Sequence, residues 1–123
     1  MRASSLEMIA QRVVRVTLFG LPATIRQAAK GCRIELAWLA ACRQREPELA
    51  DDLLGLFEGA SLADSPADSA ESLPRIRLFL DSLWAYVQGD RALFRQEVRV
   101  TLLHELGHFL GFDEEQVADL GLE

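Results

Sequence analysis

The chain has 123 residues, half of them hydrophobic, and a formal net charge of −6. This suits one domain, residues 1–123, around one packed core and excludes wholesale disorder. The acidic balance speaks against nucleic acid as the main partner, and Arg12, Arg15 and Arg26 read as a solvated helix face.

The sequence has no uninterrupted apolar run long enough to span a membrane. Cys32 and Cys42 match neither a zinc ribbon nor a CxxC pair, and read as reduced thiols. The apolar stretch from Val13 to Phe19 is broken by Arg15 and preceded by Glu7, unlike the core of an export signal. A cytoplasmic location is the default expectation.

In chain order, residues 5–19 read as an amphipathic helix capped by Ser5, with Met8, Ile9, Val13, Val16 and Leu18 or Phe19 on its apolar side. Gly20-Leu21-Pro22 ends it, and Pro22 opens a short helix through Ala29. In residues 33–39, Ile34, Leu36 and Trp38 alternate with Arg33, Glu35 and Ala37, the pattern of a half-buried strand. Leu53 to Gly59 reads as a short strand with irregular glycines, and residues 60–74 as a polar connector flanking a cleft. Residues 75–80 alternate again as a strand, and a short helix follows with Asp81 as its cap and Trp84 and Val87 buried. Asp90 caps the strongest helix, where Phe94, Val98, Leu102 and Leu106 form an apolar ridge joined by Phe109 and Leu110. Gly111 stops it through a left-handed cap. This order predicts an α+β fold, with helices packed on a small mixed sheet.

Both histidines of the chain fall in His104-Glu105-Leu106-Gly107-His108. Four apart on a helix, they share a face, with Cβ atoms about 5–6 Å apart, close enough for both imidazoles to ligate one Zn2+. Glu105 lies about 100° around the helix from His104, placed to lean over the metal and move a proton without ligating it. The plain alternative is two histidines on an ordinary amphipathic helix. Against it, Leu102 and Leu106 occupy a different flank from His104 and His108, so the histidines do not belong to the apolar ridge.

A third protein ligand is required, with the fourth position left for water in a catalytic site. Gly111 lets the chain reverse after His108, which brings forward Glu114, the adjacent Asp113, and Glu115 as a weaker candidate. With the sequence ending at Glu123, a distant downstream glutamate is not expected. With methionine only at Met1 and Met8, neither is a methionine turn. Upstream, Glu97 lies seven residues before His104 on nearly the same face, and reads as a partner for an imidazole N–H or as an exposed acid.

Val98 to Glu115, containing HELGHFLGFDE, resembles the small bacterial zincin-like metallopeptidases, or minimal zincins, whose pattern is HExxHxxGxxD. Asp52 to Gly59 and Leu73 to Phe79 resemble the segments before that family's polar loop and metal helix. The resemblance covers roughly residues 21–123 and is specific in the last third. It implies a zincin-like fold, Zn2+ on His104, His108 and Glu114, and Glu105 as the catalytic base. Glu114 stands where the pattern has Asp, so Asp113 stays open as the third ligand.

The expected reaction is peptide-bond hydrolysis, with a peptide or protein substrate laid along an edge strand at residues 75–80. Tyr86 and Arg75 are the available groups for stabilising an oxyanion. The alternative is a zinc-binding structural or protein-interaction module with weak or no hydrolase activity. The retained Glu105 favours the enzyme, because a purely structural site does not need it.

Overall fold

The computed structural model describes residues 2–62 and 74–119, except the side chains of Glu114, Val117 and Asp119. The fold is α+β. Among the described residues it has the helices α1 (Ala3–Phe19), α2 (Ala23–Ala29), α3 (Leu39–Arg45), α4 (Leu80–Tyr86), α5 (Arg91–Leu110) and α6 (Glu114–Asp119). Its strands are β1 (Arg33–Ala37), β2 (Gly55–Glu58) and β3 (Arg75–Phe79). Most of the expected polar connector, residues 63–73, lies outside the described residues.

The sheet runs β1-β3-β2, with β1 parallel and β2 antiparallel to β3. The strand at residues 75–79 is therefore central, which corrects its expected place at the edge; β2 is the edge strand next to it. The register places Ile34, Ile76 and Phe57 across from one another, and likewise Leu36, Leu78 and Gly55. These six positions share one face of the pleat. That face packs against α5 at β2 and β3 and against α1 at β1.

α5 forms because its ridge has this core to face. Phe94, Val98, Leu102 and Leu106 are all fully buried, as is Leu103. Asp90 caps it as expected, its carboxylate accepting from the Leu93 N–H at 3.0 Å. Gly111 ends it at φ 75°, ψ 23°. The N–H groups of Gly111 and Phe112 close onto the carbonyls of His108 and Gly107 at 3.1 and 2.9 Å. Trp84 packs edge-on against Phe94, ring centroids 5.6 Å apart.

Several local expectations are corrected. α1 starts at Ala3 behind Arg2, so Ser5 sits inside the first turn and caps nothing. Leu6 and Ala10 are its buried residues, whereas Met8, Val16 and Phe19 are exposed. The face pressed onto β1 and α5 is offset from the one the apolar spacing suggested. Trp38 does not extend β1; it precedes α3, a helix the strand-like alternation concealed. α4 begins at Leu80 behind Phe79. Asp81 therefore does not cap its own helix. Its carboxylate accepts from the N–H groups of Leu39 and Ala40, at 2.6 and 3.0 Å, and caps α3 instead.

The other face of the sheet carries alternating charge. Glu46 holds the Arg77 guanidinium through two bonds, at 2.8 and 3.1 Å, while Glu58 accepts from Arg77 Nε at 2.7 Å. Glu58 also accepts from Arg75 Nε at 3.1 Å, and Arg75 reaches Glu35 at 3.4 Å. Arg77 is only 3% exposed, so its charge depends on these carboxylates. They hold its pKa above the ordinary value, the Glu46 hydrogen bonds most strongly and against the opposing effect of burial. The bonds from Arg77 in turn hold Glu46 below the usual carboxylate range. No described helix is long and apolar enough to cross a membrane.

Two outcomes follow for stability. Asp81→Ala removes the cap of α3 and lowers unfolding free energy by about 1–2 kcal/mol, measured by chemical denaturation with an unchanged slope. A carboxyl whose folded pKa lies below its unfolded one adds stability above the unfolded value and loses it as pH falls through the folded one. Glu46→Gln therefore costs stability at neutral pH and flattens the further loss below about pH 4, as read from thermal melts across that range.

Candidate metal centre

The centre sits on the last two turns of α5. His104 and His108 are exposed, with ring centroids 4.7 Å apart, whereas Glu105 between them is only 9% exposed. Burying a carboxylate requires a partner. Glu105 Oε1 finds one in the backbone N–H of Phe57 on β2, at 3.1 Å, and stands 3.4 Å from Nδ1 of His108.

This bond exists because β2 comes unusually close to α5. A Cβ placed on Gly55 would lie 2.6 Å from the Thr101 methyl, 3.3 Å from the Arg77 carbonyl oxygen and 3.4 Å from Glu105 Cγ. Only glycine fits that space, and the reason is contact rather than backbone angle. Two residues on, the Phe57 ring faces the same helix and packs on Phe109 with centroids 6.0 Å apart. Phe57 thus holds Glu105, and the close fit of Gly55 on Thr101 permits that approach, roles the sequence did not assign to these residues. The irregular glycine in a strand-like run was the one available signal.

His104, Glu105 and His108 can each offer a ligand atom, all within 4.8 Å of one another. Two imidazoles one helical turn apart suit Zn2+, and the Glu105 carboxylate lies beside them. Neither cysteine belongs to this cluster. Cys32 is buried, and burial pushes its thiol up to about 11, which keeps it protonated at neutral pH.

The expected third ligand, Glu114, opens α6, and its side chain lies outside the described residues. Its neighbours are placed. Phe112 packs against the core. Asp113 Oδ1 accepts from the Gln116 N–H at 2.8 Å, and Gln116 Oε1 accepts from the Asp113 N–H at 2.9 Å. This reciprocal cap engages one oxygen of Asp113 at the start of α6. Glu115 is exposed. Glu97 lies two turns before His104, roughly 10 Å along the axis, and makes no bond to an imidazole among the described residues. Arg75 is on the opposite face of the sheet, bound to Glu58 and Glu35, which removes it as an oxyanion partner. Tyr86 ends α4 in an exposed position and makes no hydrogen bond to the centre among the described residues.

A long helix presenting HELGH beside a small mixed sheet defines an α+β protein of the zincin type with a candidate metal centre. A family model for zincin-like metallopeptidases matches residues 35–122, and the chain belongs to that family. α1 and α2 precede the matched region. No curated protein matches the sequence.

Gly55→Ala should force β2 away from α5, lengthen the Phe57–Glu105 bond and lower stability by about 1–3 kcal/mol. Thr101→Ser removes the methyl that the new Cβ would meet, so the double variant should recover most of the loss in denaturant melts. Equal stability of the single and double variants would remove this contact as the cause.

Proposed function

We propose that the chain is a zinc-dependent peptidase, with His104, His108 and Glu114 holding the metal and Glu105 acting as general base. The observation that carries this reading is the pairing of two exposed imidazoles with a buried carboxylate anchored by the Phe57 N–H. A structural zinc site generally uses four protein ligands and has no use for such a carboxylate. Glu114 is preferred over Asp113 because the Asp113 carboxylate already caps α6.

When bound, zinc supplies a Lewis acid and lowers the pKa of its water to about 7. Glu105 accepts the proton of the attacking water and returns it to the departing amine. The Phe57 N–H fixes one Glu105 oxygen and leaves the other for that transfer. A peptide substrate lies along β2 rather than β3. Leu54 directs its carbonyl to Phe79 on β3, so the alternating groups of Gly55 and Phe57 face away from the sheet. The Phe57 carbonyl on that outer side is available to a peptide backbone.

The test pairs zinc content with hydrolysis of a peptide library. Wild-type protein should bind about one zinc per chain, as one tetrahedral site requires. His104→Ala should lose it, and Glu114→Ala should weaken it far more than Asp113→Ala. Glu105→Gln should keep the zinc while hydrolysis falls by about 100-fold or more. Hydrolysis undiminished in Glu105→Gln would sink the mechanism. Zinc binding without any wild-type hydrolysis would instead establish a binding module.

A further inference from the structure

A groove of about 660 Å³ lies between α1 and α5, and Gly20, Leu21 and Pro22 also line it. It is not the metal centre. Arg95, Gln96, Arg99 and Leu103 line its α5 side, roughly 150° around that helix from His104 and His108. Its other wall belongs to α1, outside the residues matched by the family.

The lining combines two chemistries. Ile9, Val13, Val16, Leu21 and Leu103 make the apolar part, whereas Arg12, Arg95 and Arg99 bring three positive charges. No acidic residue is among the described residues that line the groove, and these arginines make no ion pair with any described residue. The contrast within the molecule is sharp: Arg75 and Arg77 are matched by carboxylates, and Arg26 donates to the Phe19 carbonyl at 3.0 Å. Arg95 and Arg99 are four residues apart on one helix face, where like charges repel. In a chain of net charge −6, three arginines without an ion-pair partner among the described residues, set around an apolar hollow, form a local field of the opposite sign.

We propose that this groove binds a small amphipathic anion, an apolar chain ending in a carboxylate. The volume lies within the roughly 300–1,000 Å³ of small-molecule sites. The α1 wall from Ile9 to Thr17 is about 12 Å long, which gives an extended chain room to lie along it. The apolar walls shed water against that chain, and the guanidiniums bind the carboxylate through charge-assisted hydrogen bonds. The site is independent of the metal centre.

The experiment is isothermal titration of the full chain with dodecanoate below its micellar concentration, with dodecyltrimethylammonium as the cationic control. One dodecanoate should bind saturably, equally well in His104→Ala, and the cation should not. Arg95→Gln/Arg99→Gln should weaken binding about tenfold or more, and Arg12→Gln should weaken it as well. Circular dichroism and sedimentation velocity accompany each variant; these arginines are not core residues, so the fold should persist. No saturable binding, equal binding of the cation, or full affinity in the folded arginine variants would overturn the proposal. So would a concentration-dependent dimer abolished by the arginine substitutions, because the groove would then hold a second copy of the chain.

Discussion

The contact between Gly55 and α5 is the constraint on which the centre depends. An edge strand must approach the helix closely enough for a backbone N–H to reach the Glu105 carboxylate, and at Gly55 there is no room for even one more carbon beside the Thr101 methyl. Without the approach, Glu105 would be a buried charge without a donor, an arrangement that proteins avoid. Phe57 does two things from one position. Its ring packs on Phe109, which fixes the strand on the helix, and its N–H holds the carboxylate.

The strand register explains how so small a sheet serves both a core and an ionic network. Because side chains alternate, Ile76 and Leu78 enter the core while Arg75 and Arg77 are directed to the opposite face. There the pairing sets Glu58 directly across from Arg75 and Glu35 across from Arg77, from where Glu35 reaches Arg75 diagonally, and Glu46 just beyond α3 completes the set around Arg77. Removing one carboxylate leaves a nearly buried guanidinium less compensated, so the network fixes β2 in register as much as it adds stability. A slip of one residue in β2 would move Glu58 to the helix face and Phe57 to the charged one, which both faces oppose. The register that matches the charges is therefore the one that brings the Phe57 N–H to Glu105.

Local chemistry was legible where a single element decided the outcome. The Asp90 cap, the buried ridge from Phe94 to Leu106 and the Gly111 stop all follow from residues within α5. The pairing of His104 and His108 was legible for the same reason, since helix geometry alone sets it. What failed depended on where an element begins or on partners distant in sequence. Ser5 and Asp81 both look like caps for the helices they begin, yet α1 starts earlier and Asp81 is drawn 42 residues back to α3. Trp38 continues an alternating pattern that the backbone abandons to start α3. The central place of β3 could not be read from its own alternation, because strand order is a property of pairing rather than of one strand. The role of Gly55 was hidden similarly, since nothing near it in sequence announces Thr101.

The geometry after His108 fixes the segment from which the proposed third ligand would come. A side chain on α5 keeps its direction from the helix, but a ligand from the following segment needs that segment fixed. The Gly111 turn reverses the chain, the Phe112 N–H ties it to Gly107, and the Phe112 ring joins the core. The mutual bonds of Asp113 and Gln116 then start α6. Three successive residues are thus each held by a different force: backbone hydrogen bonding, apolar burial and helix capping. In the proposed site, the acid that follows them begins a helix whose position is already set, so less freedom would be lost on ligation. Fixing the segment beforehand lowers the entropic cost of completing the site. For the proposed ligand set, this gives a physical reason for the capping acid Asp113 and the proposed ligand Glu114 to be adjacent but separate residues, each using its carboxylate once.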